Sequence, residues 1–205
     1  MIVLGLTGSV GMGKSTAAAM FRRLGIAVHD SDAVVHRLLA PKGAAVAAVA
    51  KAFPGVKRSD GGIDRQKLGA RVFGDRAALT RLERILWPLV RRSQQRFLAR
   101  ARARRAKLVV LDIPLLFESG GARRCDKVLV VTAPAFLQRA RVLVRPGMTK
   151  ARLAAVLAQQ MPDAEKRRRA DYVVPSGLGR AVTFRRIAAI VRELTAAEPC
   201  LDDSA

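Results

Sequence analysis

Eight consecutive residues, Gly8-Ser9-Val10-Gly11-Met12-Gly13-Lys14-Ser15, fit the pattern G-x-x-x-x-G-K-[S/T] in full. The pattern constrains fold and chemistry together, because its mechanism requires a strand before it and a helix after it. Ile2 to Thr7 is an apolar run that supplies the strand. Thr16 to Leu24 has helical spacing and stops at Gly25, whose lack of a Cβ suits a left-handed cap position. Glycines permit positive φ angles and let backbone N–H groups close around phosphate oxygens. The helix starting near Ser15 turns its positive end toward the same anion. Gly8, Gly11, Met12 and Gly13 therefore form the expected phosphate cradle, with Thr16 continuing the helix start. Lys14 is placed to reach the β- and γ-phosphates and the Ser15 hydroxyl to ligate Mg²⁺.

Apolar β-type runs recur at Ile26 to His29, Leu108 to Leu111, Lys127 to Thr132 and Tyr172 to Val174, with helical patterns between them. This alternation predicts an α/β protein of the P-loop NTPase class, with helices on both faces of a central parallel sheet. Residues 1–197 are expected to form one domain. Between His36 and Lys107 the pattern is helical, broken by turn signals at Pro41, Asp60-Gly61-Gly62 and Gly74-Asp75, so a mostly helical insertion is expected there, a lobe suited to an acceptor substrate. Pro88 should kink its helix or begin a new one. Residues 198–205 carry three acids and read as a frayed tail.

The formal net charge of +22 would ordinarily suggest nucleic acid. Here 29 of the 38 basic residues are Arg, Ala is abundant and Asn is absent, a bias that GC-rich coding produces without a ligand, so a nucleic-acid role is disfavoured. The stretch from Arg91 to Lys107 holds eight basic residues and no acid, which reads as a solvated helix face or as a field for anionic substrates. No run is long and apolar enough to span a bilayer, and the first residues read as a strand rather than a leader. Cys125 and Cys200 have no ligand spacing, which suits a reducing cytoplasm.

Asp30-Ser31-Asp32 follows the second strand directly, at the end of the sheet where α/β proteins bind ligands. One carboxylate could orient or deprotonate an attacking hydroxyl or hold Mg²⁺ through water; capping of the next helix is the competing reading. Leu108 to Asp112 is an apolar strand ending in Asp, the arrangement of a metal-facing carboxylate in P-loop enzymes. Gln138, Arg141 and Arg145 share one helix face, while Phe136, Ala140, Leu143 and Val144 occupy the other. The apolar face is expected to pack, leaving the Arg face as an ordinary solvated surface or, in a kinase, free to close over a transferring phosphoryl group. With the Pro146-Gly147 turn and a helix opening at Thr149, this helix would complete a mobile lid. GTPases of this superfamily identify guanine with an Asn-Lys-x-Asp segment that a chain without Asn cannot supply, so a small-molecule kinase using ATP is the leading class. Another small-molecule or nucleotide kinase, or a nucleic-acid-binding ATPase, are the alternatives.

Six segments together resemble the dephospho-CoA kinase family along nearly the whole chain: Leu6 to Thr16, Val28 to Asp32, Val72 to Asp75, Asp112 to Gly120 (DIPLLFESG), Gln138 to Arg145 and Gln160 to Val173. The resemblance implies phosphate transfer from ATP to the ribose 3′-hydroxyl of dephospho-CoA, with Asp32 serving that hydroxyl. It places the family's acceptor insertion at about residues 34–105 and its lid at about 138–166; a cytoplasmic enzyme, a monomer or small homo-oligomer, is expected. Two departures stand out: Trp87-Pro88 where the family often has His-Pro, and Tyr-Val-Val-Pro-Ser-Gly after Asp171 where many relatives carry an Asn.

Overall fold

The computed structural model describes residues 1–196; Cys200 and the acidic tail lie outside the described residues. The chain divides into two compact units, one made of Met1–His29 and the chain from Ala101 onward, the other of Asp30–Arg100.

The first unit is built on a sheet of β1 (Ile2–Thr7), β2 (Ala27–Asp30), β3 (Leu108–Asp112), β4 (Lys127–Thr132) and β5 (Tyr172–Pro175), in the order β2-β3-β1-β4-β5. β1 pairs in parallel with β3 and β4, and β4 with β5. A parallel sheet is covered on both faces, so its strands need continuous rather than alternating apolar sequence. That is why all five runs were legible, each to within a residue or so of its observed limits. Leu4, Leu6, Val110, Leu129, Val131 and Val174 are buried with Ala17 and Phe21 of α1 (Lys14–Arg23) and with Ile187 and Ile190 of the final helix, Arg180–Ala196.

Helix α1 begins at Lys14, two residues before the sequence suggests, because Gly13 takes the cap position with φ 91° and frees Lys14 for helical geometry. Gly25 ends it as expected, at φ 79°; its N–H bonds the Arg22 carbonyl and that of Ile26 bonds Phe21. β1 is central, and the chain moves first to one side of it and later to the other. The carboxyl end of β1 is therefore the switch point where such sheets form ligand crevices.

The second unit is helical: α2 (Ser31–Leu39), α3 (Val46–Ala52), α4 (Arg65–Val72) and most of α5 (Arg76–Ala103). Leu39, Val49, Phe53, Val56, Leu68, Leu82 and Leu86 form its core. The expected turns carry caps: Asp64 accepts from Gln66 and Lys67 before α4, and Asp75 accepts from Ala78 at the start of α5. No new helix starts at Pro88, which lies inside the 28-residue α5. Pro88 is exposed, so the Arg84 carbonyl that loses its partner there can turn to water.

Between β4 and β5 come α6 (Ala135–Leu143), α7 (Lys150–Ala158) and α8 (Asp163–Arg168). Thr149 caps α7 through its side chain, as the helix opening there requires. Among the described residues no helix is long and apolar enough to cross a membrane.

Candidate active site

β1 ends at Thr7, and residues 8–13 turn over its carboxyl end into α1. Met12 N–H bonds the Ser9 carbonyl at 3.1 Å, and Gly11 and Gly13 sit at φ 78° and 91°. Glycine is needed at both for a second reason. A Cβ at Gly11 would lie 2.5 Å from Val142 Cγ2, and one at Gly13 3.0 Å from Ser176 Oγ. No side chain caps the start of α1, so its first N–H groups remain available to an anion.

The loop is held from outside through its carbonyls. Gln138 Nε2 donates to the Val10 carbonyl at 2.8 Å, Arg141 Nη1 to the Gly11 carbonyl at 3.4 Å, and Ser176 Oγ to the Met12 carbonyl at 2.7 Å. Arg141 also donates Nη1 to Ser176 Oγ and Nη2 to the Ser176 carbonyl, both at 2.9 Å. Val10 N–H donates to Gln160 Oε1 at 3.2 Å, and Ala133 N–H to Met12 Sδ at 3.1 Å. The negative ends of three successive loop peptides thus meet protein donors, and a site for an anion gains from having them so engaged.

Register brings the next group in. Leu6 pairs with Asp112, so the last residue of β3 lies beside the end of β1. Lys14 Nζ donates to Asp112 Oδ1 at 2.6 Å, with the side chains 15% and 3% exposed. Lys14 is therefore a largely buried ion-pair partner rather than a simple surface loop residue. Ser15 is exposed at the second position of α1.

The reading of α6 needs correction. Phe136 and Val144 are 68% and 81% exposed, while Gln138 and Val142 are buried and Arg141 is half-buried. The ridge that packs is the polar one, because what it packs on is a glycine loop rich in backbone acceptors. Arg145, one turn further, is exposed. Gln160 and Ser176 are contributors that the sequence reading did not single out for a role. The only hint of them was an uncharged polar residue amid Arg-rich helices and a Pro-Ser-Gly turn closing the last strand.

Asp30 and Asp32 belong to the helical unit. Asp30 caps α2, accepting from Ala33 N–H at 2.9 Å, and Asp32 is exposed in the first turn of that helix. The capping reading holds for Asp30. His36 is exposed on the same helix and His29 is buried at the end of β2.

A second ion pair anchors α8. Lys166 is fully buried and its Nζ lies 2.9 Å from Glu118 Oε1, an oxygen that also accepts from Met161 N–H at 2.8 Å. Asp163 accepts from Thr132 Oγ1 at 2.7 Å, fixing the same helix to the end of β4. Burial acts to raise the Glu118 carboxyl, but Lys166 and the backbone donors override it and leave the group below the usual carboxylate range. A carboxyl shifted downward contributes stability above its unfolded pKa and loses it as pH falls through the folded value. Glu118→Gln removes the counter-charge of a fully buried ammonium and is expected to cost about 3–5 kcal/mol in denaturant unfolding at neutral pH. The gap to the parent should narrow as pH falls through the lowered folded-state value of Glu118; a parent-like unfolding midpoint at pH 7 would refute this role for the pair.

Cys125 is a free thiol that burial pushes up to about 11, so it is poorly suited to act as a nucleophile. Among the described residues no group of three or more His, Cys, Asp or Glu could hold a metal. One hydroxyl and one carboxylate, Ser15 and Asp112, still fit Mg²⁺ bound mainly by nucleotide phosphates and water.

Residues 2–178 match the family model described as dephospho-CoA kinase. The chain is 69% identical over 167 residues to a dephospho-CoA kinase of Paramagnetospirillum magneticum, covering 82% of this chain and 78% of the relative. It is 60% identical over 188 residues to one of Rhodospirillum rubrum, covering 92% and 89%. A solved Thermus thermophilus structure superposes with a TM-score of 0.82 at 37% identity, over 95% of this chain and 98% of that one. A phosphate loop at the switch point of this sheet, with the match running from β1 past β5, makes the chain a member of the dephospho-CoA kinase family.

Proposed function

We propose that this chain transfers the γ-phosphoryl group of ATP to the ribose 3′-hydroxyl of dephospho-CoA, giving coenzyme A and ADP. The observation that carries the reading is the loop of residues 8–15 at the end of β1, with Lys14 on Asp112, in a chain that matches the family over residues 2–178.

Gly8, Gly11, Met12, Gly13, Ser15 and Thr16 hold the phosphates through the loop and the start of α1, and Lys14 neutralises the charge that grows on the β- and γ-oxygens. Asp32 accepts the hydroxyl proton as the acceptor oxygen bonds to the γ-phosphorus and the bond from that phosphorus to the leaving ADP oxygen breaks. Ser15 and Asp112 would hold Mg²⁺, which supplies charge neutralisation to the phosphates when bound. Arg141 and Arg145 stabilise the transferring group from α6, which is already tied to the loop through Gln138 and Arg141, so lid motion is left to the part of residues 138–166 between Arg145 and Gln160. The helical unit receives the acceptor. We assign the reaction to the cytoplasm, where ATP is available and the free Cys125 thiol is compatible with reducing conditions. A monomer or small homo-oligomer suffices for it.

The test is ADP release from Mg-ATP with dephospho-CoA, nucleoside monophosphates, shikimate or single-stranded DNA offered separately. Release specific to dephospho-CoA is expected. Faster release with any other acceptor would overturn the assignment.

Arg141→Ala should lower kcat at least as much as it weakens substrate binding, since the guanidinium is asked to act on charge that develops in the transition state. The variant also loses three hydrogen bonds to the loop region, so its melting temperature should fall by a few degrees. Steady-state kinetics beside a thermal melt separates the two effects, and a loss confined to KM would move Arg141 to ground-state binding.

A further inference from the structure

Helix α5 turns Leu82 and Leu86 into the core of the helical unit, and Trp87, the next residue, is left 53% exposed. It is the only tryptophan in the chain. Two turns later Gln94 is buried at 5% exposure, its Nε2 3.4 Å from Ser31 Oγ. Residues seven apart on a helix lie about 20° from the same line and about 10 Å apart along the axis. Trp87 and Gln94 therefore share one strip of α5, and that strip ends against the first residue of α2, next to Asp32. Exposed Arg84 and Arg91 flank the indole one turn to either side. All of these residues lie within the Asp30–Arg100 unit.

An indole this exposed forgoes a large burial gain, and a flat aromatic surface between guanidinium groups suits a planar base attached to phosphates. The acceptor has that form. Its purine is carried on the same ribose whose hydroxyl is phosphorylated, one sugar away, and its pyrophosphate leaves the other side of that sugar. We propose that Trp87 is the stacking platform for the adenine of the acceptor, with Arg91 meeting its pyrophosphate. The inference rests on the reading that Asp32 receives the acceptor hydroxyl, and it names the residue that holds the base when it does.

Stacking of one base on an aromatic side chain is equivalent to about a tenfold to hundredfold change in affinity. The ring makes this contact before and during transfer alike, so its loss should appear in KM. Trp87→Ala is expected to raise KM for dephospho-CoA about tenfold or more with kcat changed less than about twofold, and Trp87→Phe to recover most of the loss. KM for ATP and the melting temperature should stay at the parent values. In the parent protein without ATP, the fluorescence of the single tryptophan should change saturably with dephospho-CoA and not with 4′-phosphopantetheine, which lacks the base. Unchanged fluorescence and unchanged KM in a protein that phosphorylates dephospho-CoA would overturn the stacking role and leave the activity standing. Equal responses to dephospho-CoA and 4′-phosphopantetheine would also overturn it, since the contact would then be with the pantetheine arm. If the parent releases no ADP with dephospho-CoA, the activity itself is refuted and this role with it.

Discussion

Lys14→Met should abolish measurable phosphoryl transfer, lowering kcat by about 10²–10³ or more, and should also leave a less stable protein. The catalytic loss follows from removing a preorganised cation from the place where negative charge accumulates on the leaving phosphates. The stability loss follows from position. Lys14 Nζ donates to an Asp112 carboxylate that is 3% exposed, and a charged hydrogen bond of this kind contributes about 1.5–3 kcal/mol. Two measurements keep the effects apart: turnover under Mg-ATP saturation, and unfolding in denaturant. Adding Asp112→Asn to Lys14→Met should return part of the stability, since the buried carboxylate no longer demands a cation, without returning turnover. Near-parental turnover in Lys14→Met would sink the role given to the loop.

Asp32→Asn is the second large effect. A general base contributes about 10²–10⁴, so kcat should fall by that order while ATP affinity, measured by direct binding, stays within about twofold. Its neighbour is the natural control, because the two carboxylates differ in what they touch. Asp30 Oδ1 accepts from Ala33 N–H, a contact that Asn can keep and Ala cannot. Asp30→Ala should therefore cost about 0.5–2 kcal/mol of stability and leave most of the turnover. If Asp30→Ala is the dead variant and Asp32→Asn the active one, the two assignments are reversed.

The sheet was legible because buried parallel strands must be apolar throughout, and chain order with the Gly8 to Ser15 pattern sufficed to place the loop. The capping role of Asp30 was open to reading for a similar reason: a carboxylate just ahead of a helix has a local partner within three residues. Helix α6 was misread because hydrophobic patterning assumes an apolar partner. Gln138 and Arg141 turn inward against carbonyl oxygens, and Phe136 and Val144 turn out. Gln160 and Ser176 were beyond such reasoning, since Gln160 meets Val10 across 150 positions and Ser176 meets Met12 across 164. Pro88 shows the converse limit. A local rule offered a kink or a new helix there, and of the two no new helix forms, because Pro88 lies inside the 28-residue α5. The compact helical unit runs from Asp30 to Arg100, starting ahead of the helical pattern legible from His36, because its first helix begins on the residue after the β2 strand ends.

The ties on the carbonyls of Val10, Gly11 and Met12 have a thermodynamic consequence for turnover. Confining the backbone of one residue costs about 1–2 kcal/mol, so holding three loop residues amounts to several kcal/mol, or two or more orders of magnitude in an equilibrium constant. Because the ties come from the protein's own Gln138, Arg141 and Ser176, this entropy cost belongs to folding of the chain. To the extent that the fold orders the loop, nucleotide binding free energy is left for aligning the phosphoryl group.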